Sequence, residues 1–230
     1  MSLIDFPNPR THEYVEWVLF GDYFYNASDI VLFGGDLTPE NLRNSYQRGI
    51  FPWTIEGAPL PWFCPEERAI LEFENLHVGR NLRKLQRKQP YRLTIDTAFP
   101  DVIRNCARVK RSHESGTWIT KNFIESYVEL HRQGEAHSVE AWDASGELVG
   151  GLYGVDAGGV FCGESMFHLK SDASKLALLY LVEHLSERGA TWLDVQVMTP
   201  HFETLGATEI SRDEFLTRLE EMQARNLELF

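Results

Sequence analysis

Three polar side chains occupy strand-like segments whose other residues are apolar or small. Glu164 lies within residues 161–167, and Asp194 and Gln196 alternate with apolar residues within 192–197. Because side chains alternate across a strand, Asp194 and Gln196 are predicted to share one face. Ionised carboxylates are rarely buried unless they are paired or functional. The three residues therefore predict a polar reaction centre, unless these strand faces are simply exposed to solvent.

The sequence lacks the residues that several other common catalytic mechanisms need. The sequence has no P-loop, no Gly-x-Gly-x-x-Gly segment and no arrangement that resembles a Ser/His/Asp triad. Cys162 is a conceivable nucleophile, although a cysteine in an apolar strand is more often an inert core residue. With Cys64 and Cys106 it makes an odd number of cysteines without Cys-x-x-Cys spacing, which argues against a zinc site or disulfides and suits a reducing cytosol. Ser174 and Lys175 lie near a predicted helix start that is able to bind an anion, unless Ser174 only caps the helix.

The charge of the chain is unevenly distributed. Its net charge of −12 argues against a nucleic-acid partner, yet residues 80–111 carry ten basic and two acidic side chains, a net of +8 that leaves −20 on the rest. This segment is either a surface for a polyanion or a solvated charged face. Trp53, Trp62 and Trp118 fall in predicted loops, where aromatic rings either stack on unpaired bases or pack into a core.

The elements that must position these residues form a mixed pattern. Helices are predicted over residues 38–47, 80–89, 101–109, 120–133, 173–188 and from 211 onward. Strands are predicted over residues 69–73, 93–95, 137–142, 148–155, 160–167 and 191–197. This order indicates an α+β fold with a mixed, mostly antiparallel sheet. A proline-rich stretch predicts a boundary between a small N-terminal domain, residues 1–65, and a main domain, residues 66–230.

Length and hydropathy set the class of protein. The 230 residues fit one large domain or one domain with a small appendage, and 43% hydrophobic residues suffice for a core. No run approaches the roughly 18 apolar residues of a membrane span, and no secretory signal is visible at the N-terminus. The expectation is a cytoplasmic protein without a membrane partner.

Several motifs together resemble one family, the leucyl/phenylalanyl-tRNA–protein transferases. They occur in the family's order across most of the chain, and the segments 46–53 and 161–167 are long and specific. The matching segments are residues 34–37, 46–53, 116–120, 136–138, 148–151, 161–167, 173–175 and 194–196.

The resemblance implies an enzyme that moves Leu or Phe, with Met as a third candidate, from charged tRNA to the N-terminal α-amine of proteins beginning with Arg or Lys, which marks them for N-end-rule degradation. It implies a small N-terminal domain packed on an acetyltransferase-like (GNAT-like) domain. Transfer from an already activated ester needs no cofactor or metal, and a monomer is expected. The implied catalytic residues are Glu164, Asp194 and Gln196. Trp53 and Trp118 are implied to line the adenosine site. The basic residues implied to bind the acceptor stem are Arg80, Lys84, Arg87 and Lys88. The residues implied to form the pocket for the amino-acid side chain are Leu152, Phe161, Leu178, Leu181, Leu185 and Leu193.

The chain departs from the family in a few places. Leucines replace expected Met or Phe residues at positions 152, 181 and 185, which leaves the preference between Leu and Phe open. Two alternatives to the transferase are a GNAT-type acetyltransferase that uses acetyl-CoA and a non-catalytic tRNA-binding module. The acetyltransferase needs a glycine-containing pyrophosphate turn, but residues 168–173 contain no glycine.

Overall fold

A computed structural model describes residues 3–109 and 117–230 of the chain. Lys110 and Arg111, two members of the basic segment, lie outside the described residues. The first five strands are β1 (Trp17–Phe20), β2 (Tyr23–Asn26), β3 (Ile30–Phe33), β4 (Phe51–Pro52) and β5 (Pro61–Phe63). The others are β6 (Glu67–Glu72), β7 (Arg92–Ile95), β8 (Ala136–Trp142), β9 (Leu148–Asp156), β10 (Phe161–His168), β11 (Trp192–Gln196) and β12 (Thr208–Ser211). The helices are α1 (Pro39–Gln47), α2 (Arg80–Lys88), α3 (Phe99–Arg108), α4 (Lys121–Arg132), α5 (Ala173–Glu187), α6 (Pro200–Thr204) and α7 (Arg212–Gln223).

Seven strands form the main sheet, in the order β12-β6-β11-β10-β9-β8-β7. The turn signals between the strands of the β8–β9–β10 meander leave each strand antiparallel to the next. β10 and β11 pair in parallel, and every other neighbouring pair in this sheet is antiparallel. The prediction of an α+β fold with a mixed, mostly antiparallel sheet is therefore confirmed.

Helices cover both faces of this sheet, and two adjacent glycines of β9 mark the contacts. A Cβ on Gly150 would lie 2.5 Å from the Cβ of Ala173, where α5 begins. A Cβ on Gly151 would lie 3.4 Å from Val102 of α3. Because neighbouring residues of a strand point to opposite faces, α5 and α3 lie on opposite sides of the sheet.

The parallel strands β10 and β11 separate soon after they meet. Their recorded pairing is Cys162 with Asp194. Immediately beyond it β10 has a bulge between Gly163 and Ser165, and β11 has one between Asp194 and Gln196. Bulges bend a strand and increase its twist, so they account for the divergence of this pair. The space between the diverging strands opens beside two of the predicted catalytic residues, Glu164 and Gln196.

A second sheet, in the order β3-β5-β4, lies at the N-terminal end of the chain together with α1. Trp62 of β5 is fully buried there, packs edge-to-face on Phe6 and donates its indole N–H to the carbonyl of Gly34 at 2.8 Å. The prediction that Trp62 lies in a loop is wrong, because β5 pairs with both β3 and β4. One hydrophobic cluster contains residues of both sheets.

Among the helices of the described part of the chain, none is both long and apolar enough to cross a membrane.

Candidate functional site

A cleft of about 570 Å³ opens where β10 and β11 diverge. Its walls come from these two strands, from the first half of α5, and from the segment that leads into α6. Two tryptophans close one side, Trp53 after β4 and Trp118 before α4. Most of the lining is apolar, whereas Glu164 and Gln196 place polar groups where the strands separate. An apolar pocket with a few convergent polar groups is typical of a small-molecule or active site.

Glu164 is the centre of a hydrogen-bond network inside this cleft. Its Oε1 accepts from the Gln196 amide at 2.5 Å and from the Tyr46 hydroxyl at 2.6 Å. The Tyr127 hydroxyl lies 2.6 Å from that of Tyr46 and 3.3 Å from Oε2 of Glu164, so its single proton goes to one of those two. Burial and the negative charge of Glu164 raise the pKa of both tyrosines, which keeps them protonated as donors.

The pKa of the Glu164 carboxyl lies close to neutral pH. Burial raises its pKa from the usual acidic range to about 7, the charge of nearby Asp194 adds to the rise, and the hydrogen bonds from Tyr46 and Gln196 oppose it. At neutral pH the group therefore exists in both protonation states. A carboxylate of this kind in a cleft is suited to accept and return a proton.

Asp194 lies behind the cleft, in a buried ion pair with Arg68. Two parallel hydrogen bonds join them, Nε to Oδ1 at 2.9 Å and Nη2 to Oδ2 at 2.6 Å, and both side chains are at most 1% exposed. The guanidinium lies over the rings of Phe51 and Phe215, 4.6 and 4.4 Å from their centroids. Burial alone lowers the pKa of Arg68, but the charge of Asp194 and its hydrogen bonds together outweigh burial and raise the pKa, so the guanidinium stays protonated.

Gly49 completes the surroundings of this ion pair. Its carbonyl accepts from Nη1 of Arg68 at 3.2 Å. Its φ of +74° and the 2.8 Å that would separate an added Cβ from both Phe215 and Leu216 exclude a larger residue. The motif 46–53 thus supplies both the Tyr46 hydroxyl and this tight turn.

Gln196 enters the cleft because of an unusual backbone conformation. Its φ is +66°, which is uncommon for a residue with a side chain, and its N–H donates to Oδ1 of Asp194 at 2.8 Å. With the bulge at this point, Gln196 lines the cleft together with Leu193 and Val195, whereas Asp194 does not. The prediction that Asp194 and Gln196 share one strand face is wrong, because the bulge interrupts the alternation.

The structure places most of the residues predicted to form the amino-acid side-chain pocket around the cleft. Five of its six residues line the cleft, namely Leu152, Phe161, Leu178, Leu181 and Leu193. Leu185 does not, because it lies one helical turn beyond Leu181 and is fully buried in the core. Met166 and Phe202 also line the cleft, and the sequence analysis did not single them out.

Trp53 and Trp118 are in contact, with ring centroids 5.4 Å apart and planes tilted by 37°. Trp118 is 8% exposed, whereas Trp53 is half-buried and presents more of its surface. Both lie outside helices and strands, as predicted. Since the two rings already touch, they leave no gap for a third ring between them.

The basic helix α2 lies on the surface with no buried residue. Its predicted RNA-binding side chains are exposed, and within the described residues none of them forms an ion pair. These side chains are Arg80, Lys84, Arg87 and Lys88. A run of unpaired cations on one exposed helix is typical of a phosphate-binding surface.

Two other candidates from the sequence have defined positions. Burial raises the pKa of the Cys162 thiol well above its usual value, and the residue is fully buried beside Asp194, which is the environment of an inert cysteine. Lys175 lines the cleft and pairs with Asp172 at 2.9 Å. In the described part of the chain, no group of three or more His, Cys, Asp or Glu residues could hold a metal ion.

Family models match most of the chain. Residues 70–220 match the model described as leucyl/phenylalanyl-tRNA protein transferase, and residues 35–66 match the model of the N-terminal domain of the same family. Among solved structures, L-PGS from Bacillus licheniformis aligns with a TM-score of 0.38 and 17% identity over 59% of this chain and 47% of that one. That likeness is too slight to support an argument.

Curated relatives are much closer. A protein of Pseudoalteromonas atlantica is 52% identical over 84% of this chain and 81% of its own length. Proteins of Shewanella baltica and Flavobacterium johnsoniae are 47% and 44% identical over 88% of this chain, covering 85% and 98% of their own lengths. All three are named leucyl/phenylalanyl-tRNA–protein transferase. The chain therefore belongs to the leucyl/phenylalanyl-tRNA–protein transferase family.

Proposed function

We propose that this aminoacyltransferase moves Leu or Phe, with Met as a third candidate, from charged tRNA to the α-amine of proteins that begin with Arg or Lys. The product would be a substrate for N-end-rule degradation in the cytoplasm. The observation that carries the proposal is a buried carboxyl, Glu164, whose pKa is raised to about 7 and which lies at the polar end of an apolar cleft. The relatives' shared name supports the same reaction, whereas nothing in the comparisons supports acetyl-CoA as the donor.

The donor in this reaction is an ester between an amino acid and a ribose hydroxyl, so it is already activated. The acceptor nitrogen forms a bond to the ester carbonyl carbon, and the bond from that carbon to the ribose oxygen breaks. One proton leaves the nitrogen and one reaches the ribose oxygen. No other reactant is consumed, so the protein needs to align the two substrates and move the proton.

Glu164 is the proposed proton acceptor, and Gln196 is proposed to hold the attacking amine. An ionised carboxylate is acceptor-only, so the Gln196 group that faces Glu164 must be its NH₂. Oε1 of Gln196 then remains to accept a hydrogen bond from the α-amine. The same proton can later pass from Glu164 to the departing ribose oxygen, because a pKa near 7 makes both transfers accessible at neutral pH.

Asp194 is proposed to act through Gln196. It is buried away from the cleft and accepts the N–H of Gln196, so it holds that residue's positive-φ conformation. Arg68 fixes Asp194 in turn. We therefore assign Asp194 and Arg68 a positioning role, and the groups that touch substrate are Glu164 and Gln196.

The two ends of the donor have separate proposed positions. Leu152, Phe161, Leu178, Leu181 and Leu193 would surround the amino-acid side chain. The 3′-terminal adenine would stack on the exposed face of Trp53, beside Trp118, since the contact between these rings leaves no space between them.

An acidic groove supports a cationic acceptor. A cavity of about 660 Å³ shares Trp53 and Val197 with the cleft, so the two spaces adjoin. Four acidic residues line it, namely Asp29, Glu66, Glu67 and Glu209. Such a groove favours a positively charged first residue and disfavours an acidic one by like-charge repulsion.

We propose a division into a small domain, residues 1–65, and a GNAT-like domain, residues 66–230. The separate sheet of β3, β5 and β4 supports the division, and the divergence of β10 from β11 supports the fold type. We also propose a monomer in the cytoplasm. The three cysteines are buried and form no disulfide among the described residues, which suits a reducing compartment.

The proposed function is tested by transfer of radiolabelled Leu and Phe, separately, from charged tRNA to peptides that begin with Arg, Lys, Asp or Ala. Label is expected on the Arg and Lys peptides, and the ratio of Leu to Phe measures the preference of the leucine-lined pocket. If charged tRNA bound but no peptide became labelled, the chain would be a binding module and the proposal would be wrong.

Helix α2 provides a prediction about tRNA binding. Lys84→Gln should weaken the binding of charged tRNA and flatten the dependence of log affinity on log salt by about 0.7–0.9, because one phosphate contact is lost. Arg188→Gln is a matched control, since Arg188 is also exposed but follows the far end of α5. Equal effects of the two substitutions on the salt dependence would contradict the assignment of α2.

A further inference from the structure

Three basic side chains meet at one end of the cleft, and the reaction proposed above leaves them without a role. His168 ends β10, Lys175 lies in the first turn of α5, and His201 lies in α6. All three line the cleft. β10 and β11 are parallel, so the segments that follow them leave the sheet in the same direction and form the two walls at this end.

His201 has an unused hydrogen-bonding group. Its Nε2 is shielded from solvent and has no partner among the described residues. Burial lowers the pKa of the imidazole, and the positive charges of Lys175 and His168 lower it further, so both of these side chains lie within electrostatic reach of His201. Buried polar atoms are rarely left unpaired, and a cluster of basic groups attracts an anion.

The start of α5 adds to the positive potential. The helix has 15 residues, and its N-cap, Asp172, makes no side-chain cap hydrogen bond. The N-terminus of a helix of this length favours an anion. Asp172 is the acidic residue of this cluster, and its carboxylate holds Lys175 at 2.9 Å. Ser174, which also lines the cleft, offers a hydroxyl group at the same end, whereas the hydroxyl of Ser171 donates to Oδ2 of Asp172 at 3.1 Å.

The basic helix α2 is attached to both walls at this end. Ahead of α2, the N–H of His77 donates to the carbonyl of Leu205, which follows α6, at 2.8 Å. After α2, the hydroxyl of Tyr91 donates to the carbonyl of Ser171, which precedes α5, at 3.1 Å. Both ends of α2 are therefore tied to the segments that carry Lys175 and His201.

We propose that Lys175 and His201, with His168 at the rim, form a subsite for one backbone phosphate of the donor RNA's unpaired 3′ end. The subsite rests on the proposed function, because the donor of that reaction is the charged RNA. The ligand chemistry is a phosphodiester, held between two walls of the cleft. Binding it there would fix the position of the terminal nucleotide, and hence of the ester, relative to Glu164.

The test uses charged tRNA in which a neutral methylphosphonate replaces the last or the second-to-last internucleotide phosphate. With the wild-type protein, one of these replacements should raise KM about tenfold, the loss expected for a charge-assisted hydrogen bond. Lys175→Met and His201→Gln should raise KM for normal tRNA by a similar factor and remove the difference between normal and modified tRNA. Lys170→Met is the matched control. Lys170 lies in the connection between β10 and α5, close in sequence to Lys175, but it pairs with Asp143 outside the cleft.

Each outcome decides the matter. If neither replacement affected the wild type, or if both variants kept its sensitivity, the subsite would be wrong while the transferase stood. If the wild type transferred nothing from unmodified charged tRNA, the proposed function would fail and the subsite with it. A Lys175→Met protein that did not fold would leave His201→Gln and the wild-type comparison to decide.

Discussion

Glu164→Gln should lower the rate of aminoacyl transfer by about 10²–10⁴-fold, the usual contribution of a positioned general base. Glutamine has nearly the same shape and can still accept the hydrogen bond of Tyr46, but it cannot take the proton of the attacking amine. Binding of charged tRNA should change little, since the carboxylate lies away from the basic surface of α2. Single-turnover transfer to an Arg peptide measures the rate, and filter binding measures the affinity.

The control for this prediction is Glu187→Gln, which removes a carboxylate from the exposed C-terminal end of α5. It should transfer at the wild-type rate. A Glu164→Gln protein with the wild-type circular dichroism spectrum and an unchanged rate would show that Glu164 does not accept the proton. A rate loss accompanied by equal loss of tRNA binding would indicate a binding role.

Arg68→Met should destabilise the folded protein by about 3–5 kcal/mol, because it leaves the carboxylate of Asp194 buried without its partner. Asp194→Asn should cost a similar amount for the converse reason. The double variant Arg68→Met with Asp194→Leu should recover part of the loss, because replacing both charges by apolar groups removes the uncompensated one. Urea unfolding midpoints measure the three free energies of unfolding.

An exposed ion pair is the matched control for this prediction. Arg132 and Glu129 on α4 lie 3.0 Å apart, but their side chains are 69% and 46% exposed. Arg132→Met should therefore cost at most about 1 kcal/mol. Equal costs for Arg132→Met and Arg68→Met would contradict the account of the buried pair.

Local signals in the sequence predicted much of the main sheet and its helices. Thr38 and Pro39 predicted the start of α1, and the structure has the Thr38 hydroxyl accepting the N–H of Asn41. Ser211 likewise caps α7, where the N–H of Glu214 donates to it. Caps and turns depend on residues a few positions apart, so a single sequence carries their information.

The short elements were missed because their stability comes from distant partners. β12 has four residues and pairs with β6, about 140 positions earlier in the chain. β3, β4 and β5 are similarly brief and hold one another across intervening turns. Strands of this length have little pattern of their own, so tertiary pairing decides them.

The residues of the site also fall into two groups, those that a local sequence signal identifies and those that depend on distant contacts. Glu164 and Gln196 were found because a polar residue in an apolar strand is visible locally. Tyr46, Tyr127 and Arg68 were not assigned to it, since their contacts join residues 118, 37 and 126 positions apart. An aromatic on a helix and an arginine at a strand start look like ordinary core and surface residues until the fold brings them to the carboxylates.

The most direct test of the central claim is the ratio of wild-type to Glu164→Gln transfer rates as a function of pH. The acceptor α-amine titrates identically in both reactions, so the ratio isolates the group on the enzyme. Glu164 must be ionised to accept a proton, and its pKa is raised to about 7. The ratio should therefore rise about tenfold per pH unit below 7 and level off above it. A ratio that stayed constant from about pH 5 to about pH 9 would contradict Glu164 as the proton acceptor.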